Sequence, residues 1–351
     1  MMTPMAARDL PFVWIPGSAH KSCKRRGRSF RVEPITFPIF NIMIPKKLTL
    51  LLIPFILFGQ AVFAMPLKMT KEHLIAYTAE WKGERFDDGR PKVPDDIIER
   101  MKKVNIEEAW SVLRNEGYEY QFERGWKHVH PGEVLCGRAL TVTYMPLRKA
   151  MDDTTNEIGK KEGRIGGQVS WPIDMLVDGD VYVADVYNRE HGGPIIGGNL
   201  ANAIYAKSGN GVLFNGEIRD LEQLEAIEGF NGFVRNWNPV YYWASTIAGI
   251  NIPTNIGNTM VMPGDVILGK REGVIVIPPH LAQRIVETAE IVQLRDAFGF
   301  ARLKAGVYTP GQIDTRWVEE IEKDFEGWLK TQDDLPMSLE RIEELLKERT
   351  W

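Results

Sequence analysis

The strongest constraint on the fold of this chain is a strand–helix–strand pattern at its centre, broken by an unusually glycine-rich loop. Val181 to Val186 reads as a strand, preceded by the turn Asp178-Gly179-Asp180. The loop His191-Gly192-Gly193-Pro194-Ile195-Ile196-Gly197-Gly198 leads to a helix expected from about Asn199 to Lys207, which Gly209 ends. Gly211 to Asn215 is the next strand. Two strands joined through a helix run parallel, so whatever follows each of them lies at the same end of the sheet.

The flanking sequence extends the same alternation. Helices are expected from about Pro94 to Lys103, and from Asn105 to Arg114 with Ile106, Ala109, Trp110 and Leu113 turned inward. Asn105 and Glu108 have the spacing of a capping box. Strands are expected over Val134–Met145, around 232–235, over Val261–Leu268 and over Gly273–Ile277, where Pro278-Pro279 breaks the sheet. A helix from about His280 to Leu303 follows, then two amphipathic helices near 317–329 and 338–348. Mixed strands and helices with short connections indicate a layered α/β domain.

The 351 residues suffice for one large domain or two small ones. A net charge of -4, with no basic run in the body of the chain, excludes a nucleic-acid surface. Near the N-terminus, Lys46-Lys47, the apolar run Leu48–Phe58 and the ending Gln60-Ala61-Val62-Phe63-Ala64 have the layout of a secretory signal cut after Ala64. Met43 opens that signal and is an alternative start. An uncleaved anchor helix is the other reading of the same run, and in both the folded part is expected outside the cytoplasm, periplasmic or secreted. The expected organisation is an upstream segment and signal over 1–64, a lead-in segment over 65–93, the α/β domain over 94–310 and a helical extension over 311–351. Of the two cysteines, Cys23 and Cys136, the mature chain would keep only Cys136, which rules out a disulfide framework.

The chemistry gathers in two short pieces. Gly197-Gly198-Asn199-Leu200 is a glycine turn opening a helix, where unpaired backbone N–H groups and the helix dipole favour an anion. Gly216-Glu217-Ile218-Arg219-Asp220 follows the next strand and should meet it. Arg219 offers a planar fork suited to a carboxylate, and Asp220 is a hard oxygen ligand suited to Mg²⁺ or Mn²⁺. Together they would grip a carboxylate and place a cation beside it, as required to hold a 2-oxo acid.

These pieces stand in the register of a known pattern. Gly197, Gly198, Asn199, Leu200 and Ala201, then Gly211-Val212, Asn215-Gly216 and Arg219-Asp220, are similar to the motif G-[DE]-x-L-A…G-V…D-G-x-x-R-D. Gly137 to Val142, Gly179-Asp180-Val181, Pro263 to Val266 and Glu272-Gly273-Val274 add to the likeness. The chain resembles the RraA-like / 4-hydroxy-4-methyl-2-oxoglutarate aldolase family over about residues 94–310. The resemblance implies a layered α/β/β fold and a homotrimer or hexamer. It implies retro-aldol cleavage of a 4-hydroxy-2-oxo acid to pyruvate, with oxaloacetate decarboxylation as a side activity. It also implies Mg²⁺ or Mn²⁺ on Asp220, substrate carboxylate on Arg219, and backbone amides at Asn199 and Leu200 completing the pocket. Two positions depart from the pattern. Gly198 stands where the family has an acid, and Asn215 where it often has Asp. Asp185 and Glu217 are candidates to replace the missing carboxylate, and an acid restored at 198 is expected to raise activity.

Other features carry less. His128 and His130 form a His-x-His pair without further ligands at metal spacing, and His191 is read as a loop histidine. Asp152-Asp153 is read as a solvated turn, and Trp110, Trp126, Trp171 and Trp237 as core or subunit-contact residues. No phosphate loop, dinucleotide fingerprint or nucleophile elbow occurs. The competing readings are a protein-binding module, since one branch of the family binds ribonuclease E, and a scaffold that has lost its chemistry through Gly198.

Overall fold

The computed structural model describes residues 67–187 and 193–348. The expected signal, its cleavage site, Cys23 and His191 lie outside the described residues. Among the described residues, no helix is long and apolar enough to cross a membrane.

The central pattern folds as the sequence implies. Strand β3 (Leu135–Pro146) pairs in parallel with β4 (Asp180–Asp185), β4 with β5 (Val212–Ile218), and β5 with β6 (Gly232–Trp237). On the other side of β3, β10 (Val266–Lys270) and β11 (Gly273–Ile277) continue the sheet in antiparallel fashion, and β7 (Ser245–Ile250) pairs with the C-terminal half of β3. Two two-residue strands draw the edges together. β1 (Phe122–Glu123) pairs with β11 and β2 (Lys127–His128) with β6, and only the turn 124–126 joins them. Arg235 stitches this closure. It lies over the Trp126 ring at 3.8 Å, pairs with Glu123 at 2.8 Å and donates to Arg124 O at 2.8 Å.

Alternation along the strands sorts side chains into separate cores. Leu135, Val181, Val183, Leu213, Phe233, Ile267 and Val276 fill the space inside the curled sheet. Val142, Tyr182, Ala184, Phe214 and Val234 face outward against helix α5 (Gly198–Ser208) and the short helix α6 (Leu221–Glu225). Leu268, Ile275 and Ile277 face a second helical layer made of α2 (Asp95–Met101), α3 (Ile106–Asn115) and α7 (Ala282–Lys304). In α3, Asn105 N–H donates to Glu108 Oε2 at 2.8 Å, as the capping-box spacing requires. Its inner face is Ile106, Ala109, Val112 and Leu113, while Trp110 is exposed. The helical C-terminal part, α8 (Pro310–Ile313), α9 (Glu319–Leu329) and α10 (Leu339–Glu348), packs a core of its own onto Ile291 and Phe298 of α7.

The lead-in segment contains helix α1 (Lys71–Tyr77) and is anchored by Arg90, which is 1% exposed. Its guanidinium donates to both carboxylate oxygens of Asp180 at 3.0 Å, and its Nε pairs with Asp88 at 2.8 Å.

Three expectations about elements are corrected. The strand expected over Val261–Leu268 is two, β9 (Thr259–Val261) and β10. Asp265 accepts the Met262 N–H at 2.7 Å across the turn that separates them, and β9 pairs with β8 (Thr254–Ile256) instead. Asp152 and Asp153 lie within helix α4 (Lys149–Lys161), where Asp153 pairs with Lys149 one turn away and Asp152 accepts from Gln168. The strand after Gly211 runs on to Ile218 and so delivers Arg219 directly to the end of the sheet.

Candidate active site

Strands β4 and β5 are parallel neighbours, so the glycine loop after β4 and the Arg219-Asp220 pair after β5 leave the sheet at the same end. The loops are tied together, Arg219 N–H donating to Ile196 O at 3.3 Å. Between them lies a cavity of about 330 Å³, lined among others by Asn199, Leu200, Arg219, Asp220, Gln223 and Tyr242. The sheet's carboxyl end is the usual place for a ligand in α/β folds.

Gly197 caps α5, and Gly198 is its first residue. A Cβ on Gly197 would overlap Asp220 Oδ2 and stand 2.8 Å from Arg219 Nε, so only glycine lets the two loops approach this closely. Gly198 N–H donates to Asp220 Oδ2 at 3.1 Å. The next two amides of the helix, those of Asn199 and Leu200, have no partner among the described residues. They are unspent donors at the positive end of the helix dipole.

Arg219 Nε lies 3.7 Å from Asp220 Oδ2, and its side chain is 40% exposed. Its terminal nitrogens bond no described residue, which leaves the fork open to a ligand. Asp220 has φ 61° and ψ 41°, a left-handed conformation that a non-glycine residue adopts at a cost of about 1 kcal/mol or more. That conformation turns its carboxylate back toward the glycine loop. Oδ2 is committed to Gly198, while Oδ1 has no hydrogen bond to a described residue.

The structure thus brings together every residue expected to form the site: Gly197, Gly198, Asn199, Leu200, Arg219 and Asp220. It does not bring in the two proposed replacement acids. Asp185 accepts from Asn215 Nδ2 and Tyr187 N–H, both at 2.9 Å, and burial pushes its carboxyl up. Glu217 accepts from Asn238 Nδ2 at 2.6 Å. Neither lines the cavity. Asn215 bridges Asp185 to Arg235 and belongs to the sheet closure. An acid at 198 would have to displace the end of the Gln223 side chain, because a Cβ there would overlap Gln223 Oε1 and stand 2.9 Å from its Cδ.

Two residues of the site were not foreseen. Gln223 stands three residues past Asp220, and its N–H donates to Asp220 O at 2.9 Å. Only knowledge that a helix begins at Asp220 would have turned it toward the glycine loop. Tyr242 reaches the cavity from the segment between β6 and β7. Its hydroxyl is spent on Ser245 O, and burial raises its phenol well above the ordinary value.

The oxygen donors open to a cation are Asp220 Oδ1 and Gln223 Oε1, both hard, and they suit Mg²⁺ or Mn²⁺ keeping most of its water shell. No group of three or more His, Cys, Asp or Glu able to hold a metal occurs among the described residues. His128 stacks on Phe233 at 4.2 Å, while the ring of His130 lies against Phe230 O and Glu225 O. A larger cavity of about 680 Å³ separates α7 from the C-terminal helices, but its Arg295 is stacked on Trp317 and paired with Glu322.

Residues 95–276 match the family model described as RraA-like (Aldolase/RraA). A putative 4-hydroxy-4-methyl-2-oxoglutarate aldolase of Halalkalibacterium halodurans is 31% identical over 86 residues, 24% of this chain and 40% of that one. An uncharacterized protein of Methanocaldococcus jannaschii is 31% identical over 90 residues, 26% of this chain and 43% of that one. The chain thus spans about two fifths of the length of these curated relatives. Among solved structures, Streptomyces coelicolor RraAS2, described as an unusual member of the RNase ES inhibitor RraA family, superposes with TM-score 0.52 at 21% identity. That match covers 60% of this chain and all of that one. An uncharacterized Pseudomonas syringae protein does so with TM-score 0.53 at 19% identity, over 67% and 99%. At these identities the likeness is one of fold.

Proposed function

Because the chain belongs to the RraA-like family, we propose that its α5 pocket is the active site of a divalent-metal-dependent carbon–carbon lyase acting on a small 2-oxo acid. The reaction proposed is cleavage of a 4-hydroxy-2-oxo acid to pyruvate, with oxaloacetate decarboxylation at the same site. One observation carries the reading. The open Arg219 fork, the unspent amides of Asn199 and Leu200, and the Asp220 carboxylate all converge on one cavity. The name of the H. halodurans relative points the same way.

In this reading Arg219 takes the substrate carboxylate in a two-pronged grip, and the amides at the start of α5 hold an adjacent oxygen. Both fix the 2-oxo acid before any bond breaks, so orientation is supplied by groups that need not reorganise. Asp220 would hold the cation beside the keto group. When bound, Mg²⁺ or Mn²⁺ would polarise the keto oxygen and so stabilise charge arriving from the broken carbon–carbon bond.

The same reading includes export of the folded part to the periplasm or medium and assembly as a homotrimer or hexamer. Exposed Tyr241 and Trp243, which flank Tyr242 of the cavity wall, are apolar surface that assembly would cover. The test is pyruvate release by the purified protein from oxaloacetate and 4-hydroxy-4-methyl-2-oxoglutarate, with Mg²⁺ or Mn²⁺ and with chelator. Metal-dependent release that Arg219→Ala lowers by about 10- to 100-fold is the expected result. Release no faster than the uncatalysed rate, from either substrate and with either metal, would overturn it.

A further inference from the structure

Position 198 has no side chain, yet the space in front of it is full. A Cβ built there would overlap Gln223 Oε1 and stand 3.0 Å from Gln223 Cβ. The amide oxygen of Gln223 therefore lies where the first carbon of any side chain at 198 would stand. On the same residue's other flank, Asp220 Oδ2 accepts the Gly198 N–H at 3.1 Å. Gly198 is thus bracketed by two side-chain oxygens, one carrying charge and one neutral. The two residues sit three apart at the start of α6, a spacing that turns both toward the same side of a helix. The Gln223 N–H bond to Asp220 O, at 2.9 Å, fixes that turn. Gln223 Oε1 makes no hydrogen bond to a described residue, and Gln223 lines the cavity.

We infer that Gln223 is the second oxygen donor of the cation site, replacing from α6 a carboxylate that glycine at 198 cannot provide. The inference rests on the function proposed above and adds to it a residue, a donor atom and a reason for the glycine. An amide oxygen is a hard ligand of lower charge than a carboxylate, so the site keeps its cation with one negative charge. Such a site binds more weakly than one with two carboxylates and depends more on the substrate's own oxygens to complete the shell. Gly198 and Gln223 then form one unit, because adding a side chain at 198 expels the amide.

Mn²⁺ titration of the full chain, followed by the electron paramagnetic resonance signal of the free ion, tests this without recourse to activity. Gln223→Leu, close in size but lacking the oxygen, is expected to weaken Mn²⁺ binding by about tenfold or more. Gln223→Glu, which adds a negative charge at the same place, is expected to tighten it by roughly tenfold. Gly198→Ala adds only the Cβ and is expected to weaken binding as Gln223→Leu does. Combining Gly198→Ala with Gln223→Leu should do no further damage, since both remove the same donor. Circular dichroism and thermal melting identify any variant that fails to fold, and Gln223→Glu, with its opposite sign, stands independently of that concern. Wild-type affinity in Gln223→Leu, while Asp220→Asn loses Mn²⁺, would overturn the role of Gln223 and leave the proposed function standing. Mn²⁺ binding indifferent to Asp220→Asn would overturn both.

Discussion

Asp220 Oδ2 accepts the backbone N–H of Gly198 at 3.1 Å, so the carboxylate proposed to hold the cation also caps the first turn of α5. One side chain serves two strands' loops, and its two roles can be separated. Asp220→Asn keeps an oxygen for the Gly198 amide but loses the charge, whereas Asp220→Ala loses both. Both variants are expected to lose metal-dependent pyruvate release. Asp220→Asn should melt within about 0.5 kcal/mol of the wild type, and Asp220→Ala should lose about 1 kcal/mol for the missing cap. Turnover measured beside urea unfolding checks this, and wild-type turnover in Asp220→Asn would remove the carboxylate from the mechanism.

Arg219 presents the opposite case, a side chain with little structural work to do. It is 40% exposed, and among the described residues the side chain pairs with Asp220 alone, at 3.7 Å. Arg219→Ala and Arg219→Lys should leave stability within about 0.5 kcal/mol, as surface substitutions do. A charge-assisted bond to the substrate carboxylate contributes roughly 1.5–3 kcal/mol, so Arg219→Ala should lower kcat/KM by about 10- to 100-fold. Lysine restores the charge but not the fork, and only a partial recovery is expected. Full recovery in steady-state kinetics would show that a point charge suffices and that the two-pronged grip is not used.

Arg90 and Asp180 make the main buried tie between the lead-in segment and the sheet, at 1% and 0% exposure. Their bidentate contact at 3.0 Å offsets the cost of removing two charges from water. Arg90→Met would leave Asp180 charged and buried, with only the Val177 N–H and nearby Arg138 to compensate. It is expected to cost about 3–5 kcal/mol in chemical denaturation. Adding Asp180→Asn, which keeps an acceptor for Val177, should return part of that loss. A double variant as unstable as the sum of both singles would show that the two residues act independently.

The order of elements was readable where a residue pattern has a local cause. Capping by Asn105 and Glu108, the glycine that ends α5 and the apolar alternation of β4 and β5 each follow from neighbours in sequence. The joint position of Arg219, Asp220 and α5 was legible for a related reason, since parallel strands place successive loops at one end. What escaped the sequence depends on contacts distant along the chain. The turn 124–126 closes the sheet by pairing two-residue strands with partners more than 100 residues away, and runs so short leave no periodicity to detect. Trp110 fits the apolar stripe of α3 but falls at its outer margin. Asp185 and Glu217 looked available because Asp185 ends β4 beside the glycine loop in sequence and Glu217 stands two residues before Arg219. Their hydrogen bonds to Asn215 and Asn238 become visible only when the neighbouring strands are in place. Gln223 was hidden because the left-handed turn at Asp220, which sets the direction of the helix Leu221–Glu225, leaves no signal in the sequence, although the helix itself is made of good helix formers.

Asp265 supplies a pH test independent of the active site. It is buried in the turn between β9 and β10, accepts the Met262 N–H at 2.7 Å, and burial pushes its carboxyl up to about 8. In the unfolded chain the same group ionises near its ordinary value of 3.8. Between these two values the unfolded state releases a proton that the folded state keeps, so this group lowers stability as pH rises through the window. Above about 8 both states are ionised and the loss levels off; below 3.8 both are protonated and the group contributes nothing. Asp265→Asn retains an oxygen for Met262 and cannot ionise. The stability of this variant relative to the wild type should therefore grow between pH 5 and pH 8, by at most roughly 1.4 kcal/mol per pH unit. Urea unfolding of both proteins at pH 5, 6.5 and 8 measures that difference, in which the other titrating groups cancel. A difference that stays flat across the three values would mean that Asp265 is ionised in the folded protein, with a counter-charge or water supplying what its burial removes.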